Sequence, residues 1–203
     1  MGFEDRKELE RVKERLKKDG KNLNVQEVKN KDPLVIIKDL LNCHSNEEIL
    51  GAIRAQNKNL LGQIPKEADR MDVRYRRKAR NPLMTHVILQ VSPQLWRIFT
   101  EAGALHVDIQ RVKVEDHSPL VQCSKCLGYG HGRRFCRDSL DACSHCGGPH
   151  LRAECPEWMA AAAPTCCNCQ KAKIADSGHN AFSQDCPVRK RWDALARSAI
   201  AYC

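Results

Sequence analysis

Eleven of the twelve cysteines in this 203-residue chain stand at or after residue 123, and only Cys43 precedes them. That skew constrains the fold more than any other feature. The part up to about residue 117 reads as an ordinary globular domain. The part after it has few large apolar residues and cannot bury a core of its own, so something other than hydrophobic packing has to fold it. The first twenty residues, MGFEDRKELERVKERLKKDG, are charged throughout and show no signal-peptide pattern, and no run of about 18 apolar residues occurs. The expectation is an intracellular protein of the nucleus, the cytoplasm or both, with no membrane partner. In a reducing compartment close-set cysteines read as metal ligands rather than disulfides.

The cysteines fall into three successive sets, each completed by a histidine. Cys123, Cys126, His131 and Cys136 follow C-x2-C-x4-H-x4-C; Cys143, Cys146, His150 and Cys155 follow C-x2-C-x3-H-x4-C. Cys166, Cys169, His179 and Cys186 form a looser C-x2-C-x9-H-x6-C, with Cys167 as a competing thiolate. A CxxC pair places two sulfurs on one tight turn, and the later His and Cys close a tetrahedron suited to Zn2+. Gly130 and Gly147-Gly148 let the backbone fold closely around the ion. His145 lies inside the second CxxC turn, where reaching the same ion as His150 is awkward. With four protein ligands per ion no position stays open for water, so three structural zinc ions are expected rather than a catalytic one. Structural zinc contributes about 10–16 kcal/mol in small fingers, so metal and fold are inseparable in this half. These are zinc knuckles.

Such knuckles read single-stranded nucleic acid by stacking bases on rings and holding phosphates with basic groups. In the first knuckle Tyr129 is read as a stacking ring, beside Arg133, Arg134 and Phe135. The second offers Arg152, with Leu151 next to it and Trp158 just after; the third contains Phe182. Phe135, Trp158 and Phe182 have a competing reading as packing for the miniature cores, and for Tyr129 the stacking reading is preferred. From residue 121 onward 11 Lys and Arg stand against 7 Asp and Glu, a formal +4. Three ions, each held by three thiolates, bring that to about +1. The module is no general polycation, so stacking and placed arginines have to supply selectivity.

Ahead of the knuckles, PLVIIKDL (33–40) reads as a strand, and Ser45 with Glu48 forms a capping box before Ile49, Leu50 and Ile53. MDVRYRRKAR (71–80) and MTHVILQVS (84–92) read as paired strands across Asn81-Pro82. Ser92-Pro93 opens a helix with Leu95, Ile98, Phe99 and Ala102 on one face, and ALHVDIQRVKVED (104–116) reads as one last alternating strand. The order strand, helix, strand, strand, helix, strand predicts an α+β, ferredoxin-like domain of the RNA-recognition-motif type over 21–117. Its first and third strands carry no ring, so the usual base platform is missing. If 71–80 is a regular strand, Arg74, Arg76, Lys78 and Arg80 share one face about 6–7 Å apart and could track phosphates. A solvated edge or an import signal explains the same residues equally well. Residues 1–20 are expected to be a charged helix with a Leu9, Val12, Leu16 seam. Residues 118–186 hold the knuckles (123–136, 143–155, 166–186), and 187–203 a helix with Val188, Trp192, Leu195 and Ala199 on one side, packed against the third knuckle.

CSKCLGYGHGRRFC, CSHCGGPHLRAEC, the long third knuckle ending HNAFSQDC and the following PVRKRWDALARSAIAYC together resemble the Gag-like proteins of insect non-LTR retrotransposons. These are encoded by the first open reading frame of elements that insert into ribosomal DNA or telomeric repeats. The likeness is close over residues 104 to 203 and looser before them. It implies RNA-recognition-motif-like domains before the knuckles and binding of the element's own single-stranded RNA. It further implies assembly of a ribonucleoprotein particle for retrotransposition, with target DNA, self-association and the element's reverse transcriptase as further partners. The twelve knuckle ligands carry over by position. The family's proteins are usually longer, which leaves room for N-terminal parts absent from this chain and leaves its oligomeric state open.

Two function classes follow. The chain is a non-enzymatic RNA-binding, particle-forming protein, or it is a protein-interaction module whose RNA binding is incidental. An enzyme is not expected: Cys167 and Cys203 are spare thiols with no histidine and carboxylate arranged to activate them. A RING-type ligase would need interleaved ligands, and these sets are sequential.

Overall fold

The structure, a computed structural model, forms two compact units, Met1–Asn30 and Lys31–Cys203. It describes residues 11, 14, 15, 30–62 and 64–202, nearly all of them in the second unit. The Leu9, Val12, Leu16 seam lies outside the described residues.

Strand β1 (Leu34–Leu41) buries Val35, Ile37 and Leu40. The change from odd to even positions comes from a bulge between Ile37 and Leu40, where Asp39 takes φ 54°; aspartate tolerates that left-handed region better than most residues. Helix α1 (Asn46–Gln56) starts at the capping box: the Ser45 N–H donates to Glu48 Oε2 at 2.7 Å and the Glu48 N–H to Ser45 Oγ at 3.2 Å. Ile49 and Ile53 face the core. A short helix α2 (Lys58–Leu61) leads to β2 (Met71–Lys78) and β3 (Met84–Val91). Ser92 caps helix α3 (Pro93–Ala102), which ends at Gly103 with φ 66° and buries Leu95 and Phe99 fully.

The last predicted strand is two strands. β4 (Ala104–Val107) and β5 (Gln110–His117) pair antiparallel across a turn at Asp108-Ile109, with Asp108 at φ 55°. The apolar positions carry the sign of it: Leu105 and Val107 are odd and Val112 and Val114 even, and all four reach the core. Reading 104–116 as one regular alternation passed over that change of phase.

The sheet runs β2-β3-β1-β5-β4, with every pair antiparallel. Helices α1 and α3 share one buried cluster with a single face of it. In β2 the pairing shifts between Val73 and Tyr75, leaving Arg74 as the extra residue. The strand also stops at Lys78, short of Arg80. The bulge breaks the alternation that would have aligned Arg74, Arg76, Lys78 and Arg80 on one face.

After three loop-rich knuckles containing α4 (Pro156–Met159) and α5 (Cys167–Lys171), helix α6 (Pro187–Arg197) turns the chain back to the sheet. Lys31 exchanges backbone hydrogen bonds with the segment after α6: its N–H donates to Ala199 O at 3.0 Å and its carbonyl accepts from Ala201 N–H at 2.9 Å. Arg197 bonds Asp116 at 2.6 Å and Asp193 at 2.7 Å, Ser118 bonds Asp193, and Tyr202 packs edge-on to Trp96 at 4.7 Å. Of the expected apolar side, Val188 meets the third knuckle and Trp192 lies against Tyr129 and Gly130 of the first, but the other two residues do not take part. Leu195 is 59% exposed, and Ala199 lies beyond the helix end. A charged pair, Asp193 and Arg197, faces inward because Asp116 and Ser118 satisfy it there. Among the described residues no helix is long and apolar enough to cross a membrane.

Candidate metal centres

The first two knuckles use the same turn. Cys123 N–H donates to Gly128 O and Cys143 N–H to Gly148 O, both at 2.8 Å, and the chain reverses after each second cysteine. That reversal needs positive φ, found at Leu127 (61°) and Gly147 (79°). Backbone N–H groups then point at sulfur: Lys125 to Cys123 at 3.3 Å, His145 to Cys143 and Gly148 to Cys146 at 3.4 Å. The third site departs from this pattern because its CxxC runs into α5, with Gln170 N–H bonding Cys166 O at 3.0 Å. Its fourth ligand, Cys186, caps α6 and accepts from Arg189 N–H at 3.5 Å.

In each of the three predicted sets the four donor atoms lie within 4.8 Å of one another. Cysteine sulfur meets histidine Nε2 at 3.4 Å (Cys126–His131) and at 3.5 Å (Cys146–His150, Cys169–His179). Sulfur pairs stand at 3.7 Å (Cys146–Cys155), 3.9 Å (Cys166–Cys186) and 3.5 Å (Cys169–Cys186). Metal bonds of about 2.3 Å to sulfur and about 2.0–2.1 Å to nitrogen give tetrahedron edges near 3.8 and 3.6 Å. The sets therefore fit a four-coordinate ion, and three sulfurs with one imidazole suit zinc. The thiols differ within each set. Burial raises Cys126 and Cys146 to about 11, reinforced by the neighbouring sulfurs. At Cys123 burial is overcome by N–H groups of Cys126 and Lys125, which bring it down to about 7. A divalent cation removes the repulsion that keeps the other thiols protonated.

The two competitors are excluded by position. Cys167 shares the buried cluster of the third set but lies outside its donor group, and a Cβ on Gly147 would fall 2.9 Å from the Cys167 Cβ, so it packs against the second knuckle. His145 is buried outside its knuckle's donor set.

The knuckles are not separate beads. Leu127 of the first packs into the cysteines of the third, where Gln122 and Asn168 both donate to its carbonyl at 2.9 Å. Gln122 also reaches Ala181 O at 2.8 Å, Ala142 N–H reaches Lys125 O at 2.8 Å, and Ala181 N–H reaches Ser144 O at 3.0 Å. Sequence spacing gives no sign of Leu127, Gln122 or Asn168 in these roles, because each of them has a partner in another knuckle.

No family model, curated protein or solved structure matches the chain. What it can bind therefore has to be read from its own surface. Tyr129, expected to stack a base, is only 7% exposed; Trp192 of α6 lies 6.4 Å away, and burial and the nearby Cys186 raise its phenol. The competing reading of the other three rings as packing does not hold: Phe135, set beside Arg133 and Arg134 as a nucleic-acid contact, is 74% exposed, Phe182 53% and Trp158 48%. Arg134 lies over Phe135 at 5.8 Å and Arg152 over Trp158 at 4.5 Å. Arg133 pairs with Asp141. Arg76 is committed to Asn46 Oδ1 at 2.7 Å and His44 O at 2.8 Å, holding the start of α1. Arg74, Lys78 and Arg80 are exposed.

Proposed function

We propose that the chain is a non-enzymatic, Gag-like RNA-binding protein. Its three zinc knuckles engage single-stranded RNA and serve to package an element transcript into a ribonucleoprotein particle for retrotransposition. The observation that carries the RNA reading is the pairing of exposed rings with arginines on metal-fixed loops, Arg134 with Phe135 and Arg152 with Trp158. A ring stacks any base, and an adjacent guanidinium stacks or meets phosphate. The closed donor sets support structural zinc. With edge strand β4 set aside, the order β2-β3-β1-β5 supports a ferredoxin-like, RNA-recognition-motif-like domain in front. The retrotransposon assignment rests on the resemblance of the knuckle motifs.

A second reading, a module for self-assembly or for docking the reverse transcriptase, draws support from the burial of Tyr129 and the internal commitment of Arg76 and Arg133. Fluorescence anisotropy of a labelled single-stranded RNA, beside duplex DNA of equal length and across salt, separates the two. Preference for the single strand, lost on zinc chelation, is expected. Equal, weak binding of both with a steep salt slope would leave charge alone and favour the docking module.

A further inference from the structure

Between the second knuckle and the loop of the third lies a hollow of about 650 Å³, lined by His145, Arg152, Trp158, Met159, Pro164 and Asn180 among others. It is built of unlike parts. Trp158 and Met159 come from α4, Arg152 from the loop before Cys155, and Asn180 from the stretch that follows His179. His145 contributes from within the CxxC turn and is only 4% exposed. Its Nε2 is buried with no hydrogen-bond partner. Unpaired buried nitrogens are rare in folded chains and call for a cause. The nearest ring, Trp158, stands at 5.4 Å and 73°, and a π face replaces a full hydrogen bond only weakly.

We propose that this hollow takes one unpaired nucleobase, on the reading above that the chain binds single-stranded RNA. Trp158 is the stacking wall. The Arg152 guanidinium, 4.5 Å above the indole, occupies the plane a base would take and moves out to the neighbouring phosphate when one enters. The base edge meets the Asn180 amide, whose Oδ1 already accepts from Phe182 N–H at 2.9 Å, and the departure of Arg152 uncovers His145 Nε2, which is sealed from solvent while the hollow is empty, as a further partner. A nucleobase suits this lining because it is flat, apolar on its faces and polar only at its edge. A phosphate alone would leave Trp158, Met159 and Pro164 unused.

The test compares a labelled uridine oligonucleotide of about a dozen residues with an abasic ribose-phosphate strand of the same length. Both are bound to the zinc-loaded full chain and to Trp158→Leu, His145→Phe and Asn180→Ala, with three zinc ions per chain confirmed in each. Trp158 and Asn180 are exposed, so those variants keep the fold even where His145→Phe does not. The expected result is a loss of about tenfold in affinity for the base-bearing strand with Trp158→Leu and Asn180→Ala, and no change for the abasic strand. Variants that bind both strands as the unaltered chain does would overturn the pocket. If in that case Arg134→Ala still weakens binding, the RNA reading stands without it. If the unaltered chain binds neither strand, both ideas fall.

Discussion

Leu127 shows how much one residue of a knuckle can carry. It holds φ 61°, a conformation that costs an ordinary side chain about 1–2 kcal/mol, yet it is 2% exposed and packed against Cys166, Cys169 and Cys186. The strain persists because the side chain closes the third site from the first. Leu127→Ala keeps the strain and opens a cavity, so a loss of about 2–4 kcal/mol is expected, with zinc leaving the third site at lower chelator concentration. Thermal unfolding with zinc counting checks this; an unchanged third site would mean the packing is incidental. The thiols supply a pH dependence. Cys123 and Cys186 are both brought down to about 7, against burial, by backbone N–H groups and further polar contacts. A lowered pKa favours the thiolate above that value and loses it as pH falls through it, where protons compete with metal. Zinc should therefore be released on acidification below neutrality and retained between pH 7 and 9, as a colorimetric zinc indicator would report. Release on raising the pH would contradict the assignment of these sulfurs as ligands.

Helix α6 is tied to the sheet by charge, while Val188 and Trp192 of its apolar stripe meet the knuckles. Arg197 bridges Asp116 of β5 and Asp193 of its own helix, while Leu195 faces outward. Arg197→Leu should cost about 2 kcal/mol by removing the one cation that two part-buried carboxylates share, leaving Asp116 only Trp96 and Asp193 only Ser118, and should expose Tyr129 as α6 loosens, whereas Leu195→Ala should be nearly silent. Urea unfolding midpoints would separate them, and equal effects would mean the helix is held otherwise. Elements whose determinants are local were legible in the sequence: the Ser45–Glu48 box, the Ser92-Pro93 start and Gly103 end of α3, and the CxxC turns of the first two knuckles. The β4–β5 hairpin left only a change of phase between Val107 and Val112. The bulge at Arg74 left no trace, because it answers to β3 rather than to neighbours in sequence. Tyr129 was misplaced for the same reason: the ring that covers it, Trp192, comes from a different element. The donor sets could be read in full, and the surface they present could not.

Across the molecule, the hydrogen bonds that join the three knuckles to one another, and α6 to the sheet, make one body of what the sequence arranges as a series. Loss of one ion should therefore be felt by the others. Cys169→Ser, which damages the third site, is expected to lower zinc content by more than one ion per chain and to shift the first knuckle's amide signals in NMR. Loss of a single ion with those signals unmoved would describe independent beads. Three metal centres are the foundation for all of this, and native mass spectrometry of the full chain, prepared under reducing conditions, addresses them directly. The expected mass exceeds that of the bare chain by three zinc ions less the protons they displace. A zinc-free chain lighter by pairs of hydrogens would mean disulfides in place of metal, and would contradict the account at its root.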